Sequence, residues 1–127
     1  MIKLDTERIQ RVTKIANAAA QAVVDVHAKL VAAGIDAEYV SLTYAFTIEV
    51  LVTAEHGPEY VCGVAGEIEN ALGIKLELNK SMLKNVGFVE YSGRLDNGVY
   101  INVESSTRAC KPLGKQTYTE ERVVYAC

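Results

Sequence analysis

Residues 40–52 read VSLTYAFTIEVLV. Val40, Leu42, Tyr44, Phe46, Ile48, Val50 and Val52 take every second position, with Ser41, Thr43, Ala45, Thr47 and Glu49 between them. Successive side chains of an extended chain point to opposite faces, so this alternation predicts a half-buried β-strand with its even-numbered residues inward. The run is long for a strand in so short a chain. A bend, a bulge or an end that pairs outside the protomer is therefore expected.

Upstream of this strand the period changes. Asp5 or Thr6 can cap a helix that runs to about Ala33, where Gly34 supplies a left-handed stop. Ile9, Val12, Ala16, Ala19, Val23, Val26, Leu30 and Ala33 recur at spacings of three and four, a heptad pattern. Such a helix would be roughly 43 Å long at 1.5 Å per residue, whereas a domain of this size has a radius of gyration of roughly 14 Å. One end should overhang, and an overhanging apolar stripe calls for a partner, most simply another copy of the chain. Dimer and trimer are equally compatible with the pattern.

Downstream, Pro58 after Gly57 opens a second helix in the position where proline's missing N–H costs nothing. Its stripe is Val61, Val64, Ala65, Ile68 and Leu72, and Gly73 ends it. Strands are predicted at about 75–78, 86–95, 99–104 and 118–126, with Asp96-Asn97-Gly98 as a hairpin turn. The order is α-β-α-β-β-β-β. The expected fold is α+β, a single domain over residues 1–127 with two helices packed on one face of a mostly antiparallel sheet.

The chain has 127 residues, half of them apolar, and a net charge of −3, a composition that folds rather than stays disordered. Residues 1–14 carry six charges and lack the apolar core of a secretory signal, and no apolar run reaches the roughly 20 residues a membrane span needs. Cys62, Cys110 and Cys127 cannot all pair within one chain, which fits reduced thiols and a cytoplasmic location. Charge is unevenly spread. Residues 36–77 hold eight acids against Lys75 alone, while residues 105–117 hold Arg108, Lys111 and Lys115 with no acid. Such polarity permits a basic partner on one side and an anion on the other, and the acidic total argues against nucleic acid.

Catalytic signatures are thin. Gly114-Lys115-Gln116-Thr117 lacks the earlier glycine and the strand–helix context of a phosphate loop. No Cys-x-x-Cys or His-x-x-x-His pair suggests a metal, and no cofactor motif is present. Cys62 beside Val61 and Val64 reads as core packing rather than a nucleophile. Gly63 and Gly66 cost helix stability, so something is expected to press against them, the first helix before any ligand.

Two functional classes follow. The first is a non-catalytic binding protein that acts stoichiometrically, by occluding or sequestering a protein partner, and forms a homo-oligomer. The second is a small enzyme or small-molecule binder for an anionic or nucleotide-like ligand. Its residues would be Arg94, Arg108, Lys111 and Lys115, with Tyr118 and Glu120 as candidates for proton transfer because they share one strand face.

Overall fold

A computed structural model describes residues 1–53, 57–79 and 89–105. Two helices, α1 (Thr6–Ala32) and α2 (Pro58–Leu72), lie on one face of a mixed, mostly antiparallel five-stranded sheet. Its strands are β1 (Tyr39–Leu42), β2 (Ile48–Val52), β3 (Leu76–Leu78), β4 (Glu90–Arg94) and β5 (Tyr100–Ser105), in spatial order β1-β2-β5-β4-β3. Every neighbouring pair is antiparallel except β2 and β5, which run parallel with Ile48 opposite Ile101 and Val50 opposite Val103. The predicted strand over 118–126 lies outside the described residues.

The chain order is α-β-β-α-β-β-β, because the strand expected over residues 40–52 is two strands joined by a tight turn. Thr43 and Thr47 close that turn: the Thr43 N–H donates to the Thr47 carbonyl at 2.9 Å, and the Thr47 N–H to Thr43 Oγ1 at 3.2 Å. Five residues in the turn preserve the parity of the alternation. Ile48, Val50 and Val52 are fully buried, Val40, Leu42 and Phe46 half-buried, and Tyr44 at the tip is fully exposed. The inward assignment therefore holds for every even-numbered residue except Tyr44. Phe46 sits at φ 61°, a left-handed conformation that a bulky residue adopts only when its surroundings enforce it. Its contact with the core supplies that enforcement.

The helix ends follow the sequence signals. Asp5 caps α1, its Oδ1 accepting from the Arg8 N–H at 3.0 Å. Gly34 and Gly73, at φ 68° and 65°, take the left-handed stops after α1 and α2. Ala19, Ala22, Val26 and Leu30 from α1 meet Val64, Ala65 and Ile68 from α2 over Ile48, Val50, Val52, Ile101 and Val103.

Two expectations for α2 are corrected. Cys62 is exposed, because the buried stripe takes Val61, Val64, Ala65 and Ile68 and leaves its neighbour outside. Gly63 and Gly66 are not pressed by α1: a Cβ added to either would meet nothing within 4 Å. At 100° per residue they lie opposite the stripe, on the outer side of the helix. Alanine at each site is expected to raise stability by about 0.5–1 kcal/mol, since it removes glycine's backbone entropy at no steric cost. Thermal unfolding of Gly63→Ala and Gly66→Ala checks this, with midpoints expected to rise by about 2–5 °C each.

Candidate functional site: an amphipathic arm and an acidic sheet face

α1 is longer than the body it packs on. Only its second half is buried: residues 1–18 are exposed apart from half-buried Ala16, and Leu4, Ile9, Val12 and Ile15 have 73%, 49%, 44% and 48% of their surface open. The stretch from Thr6 to Ala18 is roughly 20 Å of helix at 1.5 Å per residue. This is the overhang that the element length predicts. Ile9 and Val12, expected in the packed stripe, lie on it and touch no core.

The helix leaves the body between two turns at one end of the sheet. Ile15 and Ala18 line a recess of about 320 Å³ together with Ala45 and Phe46 of the β1–β2 turn and Val99 and Tyr100 of the β4–β5 hairpin. Exposed aromatic surface gathers there, with Tyr44 at 99% and Tyr100 at 56%. The arm's inward positions continue the buried ones. Arg8, Val12 and Ile15 precede Ala19, Ala22, Val26 and Leu30 at spacings of three and four, so all lie along one side of the helix.

Opposite the helices the sheet carries a different chemistry. Because Ile48, Val50, Ile101 and Val103 point to the core, Glu49, Leu51, Tyr100, Asn102 and Glu104 point the other way. Register adds Glu90, Ser92 and Arg94 from β4 and Glu77 from β3. Among the described residues neither helix reaches this face. Glu104 lies directly opposite Glu90 on one side and Leu51 on the other, with Glu49 one pair away. Partial burial, then the charges of Glu49 and Glu90 and a hydrogen bond shared with Glu49, push the Glu104 carboxyl up to about 7. Around these carboxylates Ser92 donates to Asn102 Oδ1 at 3.0 Å, and Asn79 Nδ2 to Glu90 Oε2 at 3.2 Å. The described residues place no three His, Cys, Asp or Glu side chains so that they could hold one metal ion.

Of the ligand-binding residues expected from sequence, Arg94 alone is described. Its guanidinium lies over the Tyr100 ring, 5.2 Å from the centroid, and its Nε donates to the Gly98 carbonyl at 3.3 Å. It is at the hairpin end of β5. Arg108, Lys111, Lys115, Tyr118 and Glu120 lie outside the described residues.

Elsewhere, Tyr60 donates to Asp36 Oδ2 at 2.8 Å, and that bond, ahead of desolvation, raises the phenol above its ordinary range. Tyr91 is pushed up to about 12, by burial first and then by a hydrogen bond with Cys62. Among the described residues no helix is long and apolar enough to cross a membrane. No family model, no curated protein and no solved structure matches the chain.

Proposed function

We propose that the chain is a non-catalytic binding protein that works stoichiometrically and as a homo-oligomer. The unpartnered half of α1 carries this reading. An isolated helix of about a dozen residues is marginal in water, and this one exposes Val12 and Ile15 in line with the core stripe, with Ile9 exposed to one side of it. Docking on another surface supplies the apolar burial that its own body does not, and amphipathic helices of this kind bind by laying one face into a complementary surface. Arg8, Arg11 and Lys14 give the arm a basic character against Asp5 and Glu7, so the complementary surface is acidic.

The alternative, an enzyme or binder for an anionic ligand, rests on Arg94 and on residues 108–120. The Arg94 guanidinium is already engaged by Tyr100 and Gly98.

Sedimentation of the intact chain over a wide concentration range tests the first reading. Association that disappears when residues 1–12 are removed, with the circular dichroism of the remaining body retained, is the expected result. A concentration-independent monomer overturns the homo-oligomer.

A further inference from the structure

The two edges of the sheet differ. β3 is three residues long, follows Lys75 and carries Glu77, and short, charged edges of this kind resist pairing with another chain. β1 has no charge and no proline, and among the described residues no strand lies on its outer side. The bond from the Thr43 N–H to the Thr47 carbonyl fixes the alternation of the β1 backbone. Ser41 turns its N–H and C=O toward Glu49 of β2, so Val40 and Leu42 turn theirs to the open edge. Their side chains are half-buried at the margin of the core.

The helix above β1 is equally one-sided. At 100° per residue the six charged residues of α1, Glu7, Arg8, Arg11, Lys14, Asp25 and Lys29, fall within about 120° of arc. Asp25 and Lys29 border a recess with Leu72, Ile74 and Asp96, so this flank looks toward α2 and the β4–β5 hairpin. The opposite flank holds Ile9, Ala16, Ala20, Val24, His27 and Val31 and no Asp, Glu, Lys or Arg. Because α1 lies against β1, and α2 against β3 and β5, the uncharged flank looks out over the β1 edge. Val24 and Val31 are exposed on it. Building on the homo-oligomer reading above, we propose that two copies join edge to edge at β1 through a twofold axis, with their α1 helices packed antiparallel over the join.

Backbone and helices meet in one arrangement. An axis through Ser41 sets Val40 of each copy opposite Leu42 of the other, and each such pair exchanges two N–H···O=C bonds. Ser41 meets its own counterpart on the helix-free side, a small and uncharged pair. Above them, α1 touches β1 and shares the core with Ile48 and Val50 of β2. A helix seated between those two strands stands roughly 5 Å from an axis half a strand spacing beyond β1. The two α1 axes are then about 10 Å apart, a distance at which helices pack.

From Ile9 to Val31 the flank runs roughly 33 Å at 1.5 Å per residue, and with the strand edge it is roughly 15 Å high. The two copies together would bury on the order of 1,000 Å², the size at which specific interfaces begin. Like charges stay apart, because every charged residue of α1 is on the far flank. Arg8, Arg11 and Lys14 remain open to an acidic partner. The isologous contact closes on itself and leaves the protected β3 edges outermost.

Ser41→Cys tests the join. Directly opposite residues of a non-hydrogen-bonded pair lie about 4.5 Å apart at Cα, a separation that a disulfide spans. Mild oxidation is expected to link most of this variant into a dimer through position 41, identified by peptide mass. Glu49→Cys, one strand inward on the same face, is expected to stay unlinked at its position, since its counterpart is roughly 14 Å away. Val24→Lys is expected to raise Kd about tenfold or more with circular dichroism retained, and Lys14→Glu to associate as the parent does. In amide exchange on the parent, Val40 and Leu42 are expected to slow as copies associate and to speed up on dilution.

One exchange rate for those amides across the concentrations at which the parent dissociates refutes the join. So does a position-41 yield no higher than that of Glu49→Cys, or parent-like association of Val24→Lys, although the homo-oligomer then stands. A parent chain that is itself monomeric at every concentration refutes the homo-oligomer and this contact together.

Discussion

Gly93→Ala is expected to destabilise the fold by about 2–3 kcal/mol, the size of effect that overpacking a filled site produces. Gly93 lies in β4 between Leu76 of β3 and Ile101 of β5, on the side that faces the helices. A Cβ built there falls 2.7 Å from the Lys75 carbonyl oxygen and 2.7 Å from Leu76 Cδ2. The leucine methyl could turn aside, but the carbonyl belongs to the chain entering β3, so relief requires the edge strand to move. That movement strains three strand pairs, Leu76 with Gly93, Glu77 with Ser92 and Leu78 with Tyr91. It also disturbs the bond from the Leu76 N–H to Glu69 Oε2, 2.8 Å long, which ties β3 to the end of α2. Denaturant unfolding measures the loss. A midpoint and slope equal to the parent's would show that β3 yields freely and that the close approach carries no energy. The contrast with Gly63 and Gly66 is the point of the experiment: three glycines in regular structure, two with empty space where a side chain would go and one with none.

Caps, stripes and parity were legible in the chain because each is a local property. Asp5, Gly34, Pro58 and Gly73 mark the helix ends by their own backbone preferences. The spacing of Val61, Val64, Ala65 and Ile68 reports a buried side wherever the helix happens to lie. The turn inside residues 40–52 was not legible. Thr43-Tyr44-Ala45-Phe46-Thr47 has no Gly, Asn or Pro to announce it. Its left-handed residue is Phe46, held there by tertiary packing rather than by propensity. The only sequence signal was excess length, which predicted an interruption without locating it.

The candidate surfaces divide in the same way. The arm follows from arithmetic on helix length and was foreseen, whereas the carboxylate cluster depends on which strands are neighbours. Glu49, Glu90 and Glu104 come from segments far apart in the chain and meet because β2 pairs with β5 in parallel and β5 with β4 in antiparallel register. Alternation places each on the polar face of its own strand, but no periodicity within one strand reports its neighbour.

Glu104→Gln is expected to stabilise the protomer above neutral pH and to remove a pH dependence that the parent shows. The Glu104 carboxyl is raised from an ordinary value of 4.5 to about 7, through partial burial and the facing charges of Glu49 and Glu90. Between those values the folded chain holds a proton that the unfolded chain has released, so the unfolded state binds fewer protons. Stability therefore falls as pH rises through this window and levels off above about 7. Because the group is partly exposed, solvent screening reduces the apparent shift, and a change on the order of 1 kcal/mol is expected. The measurement is chemical denaturation at pH 5 and pH 8, at concentrations too low for copies to associate, on parent and variant side by side. Their difference cancels the titrating groups that do not interact with Glu104, and reports Glu104 together with the carboxylates it faces, Glu49 and Glu90. Equal pH slopes for the two would show that Glu104 carries no such penalty.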